Sequence, residues 1–190
     1  EDLGELREQL GVVRVAAVDD ADPLRGGDAG DLPELVQVRH KADDVVLPAG
    51  SEQHDWELEL AVVIGAPGRR LTRANAMDVV AGYTICNDVT TRDALIRPDA
   101  RALGLDWLAG KNSPTFLPTG PLLVPASHVE NPMDLQLHLS VNGRTMQDEN
   151  SADMLFDVAD LIAHISNVAE LQPGDLVLTG SPAGNGASHG

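Results

Sequence analysis

The octapeptide Glu57-Leu58-Glu59-Leu60-Ala61-Val62-Val63-Ile64 alternates charged and apolar side chains for four residues and then turns wholly apolar. Period-two alternation marks a half-buried strand, and the apolar continuation reads as that strand entering a core. Residues i and i+2 of a strand face the same side, about 6.5–7 Å apart. Glu57 and Glu59 therefore share one face, and Leu58 and Leu60 the other. Two neighbouring carboxylates are simply a solvated face in most proteins. Here the strand runs on into the core, where two like charges are costly unless a cation compensates them.

Downstream, Gly65 to Arg70 reads as a turn, and Thr72 precedes a short helical stretch, Ala74–Val80, closed by Gly82. Tyr83 to Val89 is strand-like. Pro114 to Pro125 is proline-rich and suits a loop feeding a short edge strand. Leu135 to Val141 alternates, and Asn142-Gly143 is the strongest hairpin turn signal in the chain. Leu155, Val158, Ile162 and Ile165 recur at helical spacing, with Asp153 and Asp157 near that helix's start. Pro173-Gly174 turns into a final strand, Asp175–Thr179. Upstream, Glu5 to Leu10 fits a short helix and Val12 to Val18 a strand, followed by a loop dense in Asp, Gly and Pro. Many short strands with about three short helices predict a mainly β, α+β fold, a mixed β-sandwich or roll rather than a βαβ layout.

The 190 residues fit one domain with a sizeable core. Aromatics are only 3%, so the core rests on aliphatic residues and stacking platforms for bases are scarce. Acidic residues outnumber basic ones 30 to 13, for a formal charge of −17. Such a surface repels phosphate backbones and anionic lipid, which argues against nucleic-acid and membrane partners. A small anionic substrate then needs local neutralisation by a few cationic side chains or a bound cation. Cys86 is the one cysteine, which excludes an intramolecular disulfide and a multi-thiolate site and fits a reducing cytosol. No apolar run approaches the roughly 20 residues of a membrane span, and the N-terminus shows no signal-peptide pattern. The expectation is a soluble cytoplasmic protein.

Asp88 ends the second β-rich segment. With Glu57 and Glu59 it makes a set of three carboxylates suited to a hard cation such as Mg²⁺ or Mn²⁺. Its other reading is a helix N-cap before Val89-Thr90-Thr91. Lys111 follows the apolar Trp107-Leu108-Ala109-Gly110; it is either drawn toward the site or an ordinary surface lysine. Arg92 divides the same way, ligand clamp or surface ion pair. The segment Thr179 to Gly186 is a glycine-rich loop after a strand, able to present N–H groups to an anion or to serve as a tight turn. The six histidines form no close ligand pair, and His138 and His164 read as structural. Cys86 reads as a small buried hydrophobe. There is no G-x-S-x-G elbow, Walker loop or H-E-x-x-H.

Taken together the motifs become specific. Asp55-Trp56-Glu57-Leu58-Glu59-Leu60-Ala61-Val62-Val63-Ile64-Gly65 resembles the D-(Y/W)-E-x-E-L-x-V-V-I-G signature of the fumarylacetoacetate hydrolase family. Gly82-Tyr83, Asn87-Asp88, Thr90 and Arg92-Asp93 resemble its G-Y-x-x-x-N-D-x-(S/T)-x-R-D. Gly110-Lys111, Phe116, Pro118 and Gly120-Pro121 follow, then Val141-Asn142-Gly143, Gln147, Met154-x-Phe156 and Pro173-Gly174-Asp175. Thr179-Gly180-Ser181-Pro182-x-Gly184-x-Gly186 resembles T-G-T-P-x-G-x-G. The resemblance runs in order over roughly residues 40 to 186.

It implies the family's mixed β-sandwich roll, usually a homodimer, with a Mg²⁺ or Mn²⁺ site. Glu57, Glu59 and Asp88 match the metal-ligand positions, Lys111 the active-site lysine, and Arg92 and Ser181 substrate-side positions. The implied division is an N-terminal segment 1–39, strand and loop belonging to a lid or small N-terminal region, and a catalytic domain 40–190 lacking its C-terminal end. The implied reaction is hydrolysis of a C–C bond in a β-diketo acid such as an acylpyruvate. The metal acts as Lewis acid on the keto-acid oxygens, water attacks the neighbouring carbonyl, and Lys111 helps hold the departing enolate charge.

Three departures from the pattern bear on that reaction. The hydrolases carry an H-x-x-E pair on an N-terminal lid, and His40-x-x-Asp43 is the nearest echo here. Leu95 stands where many relatives have a glutamine that contacts substrate. The chain stops at Gly190, before an expected closing strand. The alternatives are an isomerase or decarboxylase of a 2-hydroxymuconate-type diacid from aromatic catabolism, which needs no attacking water, and a catalytically silent metal-binding homologue.

Overall fold

A computed structural model describes residues 14–17, 44–99, 102 and 104–186. Nine strands occur among them: β1 (Arg14–Ala17), β2 (His54–Asp55), β3 (Leu58–Ile64), β4 (Val80–Asn87), β5 (Thr90–Thr91), β6 (Val124–Pro125), β7 (Gln136–Val141), β8 (Arg144–Asn150) and β9 (Leu176–Leu178). Two α-helices accompany them, α1 (Trp107–Lys111) and α2 (Val158–Val168). The strands form a four-stranded sheet in the order β6-β4-β3-β9, a three-stranded sheet β1-β7-β8 and the small pair β2-β5, with antiparallel pairing throughout. This is the mainly β architecture with few short helices that the strand pattern predicts.

β3 is the spine. Leu58, Leu60, Val62 and Ile64 project into a core shared with Tyr83 and Ile85 of β4, Val177 of β9, Leu137 and Leu139 of β7, and Val158 and Ile162 of α2. Glu59, Ala61 and Val63 project to the other face, opposite Cys86, Thr84 and Gly82 of β4. A Cβ on Gly82 would lie 2.3 Å from the Val124 carbonyl oxygen, so β4 and β6 meet this closely only because that residue has no side chain.

The β7–β8 hairpin turns at Asn142 and Gly143, both with positive φ (53° and 75°), as a two-residue hairpin loop requires. α2 starts at Val158 because the Asp157 side chain accepts from the Asp160 N–H.

Several local expectations shift. The helix expected over Ala74–Val80 is a 3₁₀ turn at Ala76–Val79, and Val80 already opens β4, so Gly82 lies in a strand instead of capping a helix. Leu155 and Asp153 lie before α2, and Leu155 is exposed. β3 begins at Leu58, one residue after Glu57. His164 is exposed on α2, and His138 faces Asp148 at the surface. The helix expected at Glu5 to Leu10 lies outside the described residues. Among them, no helix is long and apolar enough to cross a membrane.

Candidate active site

Glu57 sits in the link between β2 and β3, yet its backbone is held as firmly as a strand residue. Its N–H donates to Asn87 Oδ1 at 2.9 Å and its carbonyl accepts the Asp88 N–H at 2.8 Å. These two bonds extend the β3–β4 ladder past its end and bring Asp88 beside Glu57. Carboxylate oxygens of Glu57, Glu59 and Asp88 then lie within 4.8 Å of one another. Asp88 caps no helix: a two-residue strand follows it, and its carboxylate meets Lys111.

Two cations flank the cluster. Lys111 Nζ donates to Glu57 Oε2 at 2.9 Å, to Thr90 Oγ1 at 3.0 Å, and to Asp88 Oδ2. Arg92 Nη2 lies 2.6 Å from Glu57 Oε1 and 2.7 Å from Asp55 Oδ2. Burial pulls the Lys111 ammonium down in pKa, and the bonds and charges of Asp88 and Glu57 more than reverse this, leaving it raised. Arg92 follows the same pattern with Asp55 and Glu57. Both side chains stay charged.

Lys111 is delivered by the end of α1. Asp106 caps that helix by accepting from the Ala109 N–H at 3.0 Å. A Cβ on Gly110 would lie 2.3 Å from Leu95 Cδ2. The helix thus rests directly on Leu95, which is buried; leucine at this position packs under α1.

Glu59 is 4% exposed and accepts the Gly180 N–H at 2.7 Å. Burial is the main influence on its acidity; the Gly180 bond opposes it, and the charges of Asp88 and Glu57 reinforce it. The carboxyl is pushed up to about 7. A buried carboxyl held close to two others is a donor set that a divalent cation fits and that is costly without one.

The glycine-rich loop after β9 presents its N–H groups to the protein's own carboxylates. Gly180 donates to Glu59, and Gly186 donates to Asp55. Between them, the fully buried Gln147 ties the loop to β3. Its Nε2 donates to Ser181 Oγ (2.9 Å) and to the Pro182 carbonyl (2.8 Å), while Oε1 accepts the Leu58 N–H (3.0 Å). Ser181 thus borders the cluster with its hydroxyl engaged by Gln147. Cys86 is buried opposite Glu59, and burial, with the nearby Glu59 and Asp88 charges, pushes its thiol far up, so it stays protonated. A pocket of about 280 Å³ lined by Pro48, Ser51, Thr91, Asp93 and Ala109 contains none of the three carboxylates.

The fold therefore brings Glu57, Glu59, Asp88, Lys111 and Arg92 together, with Ser181 at the edge. Reading the residues one by one leaves out Asp55, Asn87, Thr90 and Gln147. Asp55, Asn87 and Gln147 hold backbone groups and Arg92 in place, while Thr90 accepts from Lys111. All four carry a signal, since each stands among the motif residues that resemble the family's.

The fumarylacetoacetate (FAA) hydrolase C-terminal family model matches residues 35–190, and the chain belongs to this family. A human mitochondrial oxaloacetate tautomerase is 45% identical over 144 residues, 76% of this chain and 45% of that protein. The structure of a 2-hydroxyhepta-2,4-diene-1,7-dioate isomerase from Mycobacterium marinum superposes with a TM-score of 0.66 at 41% identity, covering 75% of this chain and 53% of that one. Fumarylpyruvate hydrolase from Pseudomonas aeruginosa, solved with Mn²⁺ and pyruvate, superposes with a TM-score of 0.68 at 35% identity, covering 74% and 59%. The chain spans about half the length of the curated relatives it matches. The family's members are enzymes, and hydrolases, isomerases and tautomerases are all among these relatives.

Proposed function

We propose that this chain is the catalytic domain of a divalent-metal-dependent hydrolase that cleaves a C–C bond of a β-diketo acid, an acylpyruvate-like anion. The observation that carries this reading is the convergence of Glu57, Glu59 and Asp88 within 4.8 Å, flanked by Lys111 and Arg92. Glu57, Glu59 and Asp88 would hold Mg²⁺ or Mn²⁺, which supplies Lewis acidity toward the oxygens of a keto acid. The Mn²⁺ and pyruvate bound to the Pseudomonas aeruginosa hydrolase support a divalent cation and a keto acid as the pair this site takes.

This chain's own residues do the rest. Arg92 offers a planar guanidinium to a substrate carboxylate. Lys111, already charged and part-buried, holds the negative charge that grows on the enolate oxygen as the C–C bond breaks. Ser181 and the loop backbone border the substrate. The protein works as a homodimer in the cytoplasm, without nucleic-acid or membrane partners; the acidic composition supports the last point.

A second reading, keto–enol or double-bond isomerisation of the same class of acid, draws on the tautomerase and isomerase relatives. It uses the same residues and no attacking water. The test follows acylpyruvate absorbance and oxaloacetate enolisation in parallel, with EDTA, Mg²⁺ or Mn²⁺, beside Glu57→Gln/Glu59→Gln. Metal-dependent cleavage lost in the variant is expected. Enolisation without cleavage would replace hydrolase by tautomerase, and tight Mn²⁺ binding with neither activity would overturn both.

A further inference from the structure

Asp55 ends β2 and is 5% exposed. Its Oδ1 accepts the N–H groups of Trp56 (2.8 Å) and Gly186 (2.5 Å). Its Oδ2 accepts from Arg92 Nε (2.8 Å) and Nη2 (2.7 Å). The same Nη2 also reaches Glu57 Oε1 at 2.6 Å. One guanidinium is thus divided between two carboxylates, and only Glu57 belongs to the cluster of three.

That division has a chemical consequence. A cation that recruits Glu57 has to compete with Arg92 for the same carboxylate. Asp55 takes both Nε and Nη2 and so weakens Arg92's hold on Glu57. The loop end reinforces it: a Cβ on Gly186 would lie 2.6 Å from Asp55 Oδ1. With no side chain at Gly186, the backbone closes over this carboxylate and donates to it without displacing it. The Trp56 indole, donating to the Gly184 carbonyl at 3.0 Å, fastens the same stretch.

We infer that Asp55 is a positioning residue that shares Arg92 with Glu57, so that the guanidinium's hold on Glu57 is weak enough for a cation to displace and the guanidinium stays aimed at an incoming carboxylate. This inference rests on the divalent-cation reading of the cluster. Partners one step removed from metal ligands commonly change metal affinity about 10- to 100-fold when lost.

The test is direct Mn²⁺ binding, followed by electron paramagnetic resonance on metal-free protein, for wild type, Asp55→Asn, Arg92→Met and the double variant. Asn retains an oxygen for the Trp56 and Gly186 N–H groups but loses the charge that restrains Arg92. Asp55→Asn is expected to weaken Mn²⁺ binding about tenfold. In the Arg92→Met background the same change should have almost no effect, because there is no guanidinium left to restrain. An equal loss in both backgrounds would mean a structural role and overturn the inference, as would no loss in either.

Should Asp55→Asn fail to fold, Gly186→Ala provides the second route. It displaces the Asp55 carboxylate with its charge intact, and should weaken Mn²⁺ binding only while Arg92 is present. Wild type that binds no Mn²⁺ would sink the cation reading and this inference with it. Mn²⁺ binding that follows the expected pattern without any turnover would sink the proposed reaction and leave Asp55's role standing.

Discussion

The two faces of β3 are built from the same backbone and answer to different demands. On one face Leu58, Leu60, Val62 and Ile64 meet Tyr83, Ile85 and Val177, and all of them are buried and apolar. On the other, Glu59, Ala61 and Val63 lie opposite Cys86, Thr84 and Gly82. There a buried carboxyl, a thiol and a hydroxyl are held among small side chains. Among the described residues, the Thr84 hydroxyl has no hydrogen-bond partner although it is buried. The first face gains free energy by leaving water. The second spends some of that gain to hold polar groups close together, as functional sites commonly do. The contrast predicts that mutations on the two faces separate stability from ligand binding.

The largest effect on stability belongs to the apolar face. Leu60 is 2% exposed and central to the core cluster. Leu60→Ala should cost about 2–5 kcal/mol by removing buried methyl groups and leaving a cavity. Chemical denaturation measures the loss, and Mn²⁺ affinity of the remaining folded protein should stay close to wild type. A large drop in affinity at unchanged fold would show that the faces are coupled and break the comparison.

The polar face should show the opposite sign. Glu59's folded pKa is raised from 4.5 to about 7, chiefly by burial. Below pH 4.5 both folded and unfolded chains hold the proton, so this group contributes nothing to the pH dependence. Between 4.5 and 7 the folded protein keeps a proton that the unfolded chain has lost, and stability falls as pH rises. Above 7 the contribution is level, at a cost on the order of 3 kcal/mol. Metal-free protein should therefore lose stability from pH 5 to pH 7, and saturating Mn²⁺ should reverse that trend by mass action. Glu59→Gln should remove this pH dependence and abolish the Mn²⁺ effect. A flat profile in wild-type metal-free protein would mean that Glu59 is already ionised and compensated.

Much of this is legible in the sequence. The alternation in Glu57–Ile64 separates the two faces of the strand, and Asn142-Gly143 locates the hairpin. The motif residues Glu57, Glu59, Asp88, Arg92 and Lys111 prove to be neighbours. What escaped has physical reasons. Glu57 lies outside the regular strand because a side chain, Asn87, replaces a ladder partner, and side-chain-to-backbone bonds leave no periodic trace. Ala74–Val80 has helical spacing, but Val79 and Val80 are β-branched and the pairing of β4 prevails over weak local preference. The glycine-rich loop's N–H groups suit an anion, and the anions they meet are Glu59 and Asp55, from a segment more than a hundred residues away in sequence. Only tertiary structure supplies that pairing.

The smallest effect sharpens the comparison within the polar face itself. Cys86 stands directly opposite Glu59 and is 1% exposed. Its thiol remains protonated, because burial and the neighbouring Glu59 and Asp88 charges all disfavour the thiolate. Protonated and covered, it is a poor nucleophile and a poor metal ligand. Native protein, with or without Mn²⁺, should resist modification by a thiol reagent that labels Cys86 fully once the chain is unfolded. Cys86→Ala should cost about 1 kcal/mol, the transfer of one small buried group plus a little lost packing. Its Mn²⁺ affinity should stay within about twofold of wild type, since only carboxylates are assigned to the cation. Rapid native-state labelling that Mn²⁺ suppresses would place the thiol in the cation's reach and require a fourth residue in the site. Silence of the thiol would leave the polar face with one chemical identity, that of its carboxylates.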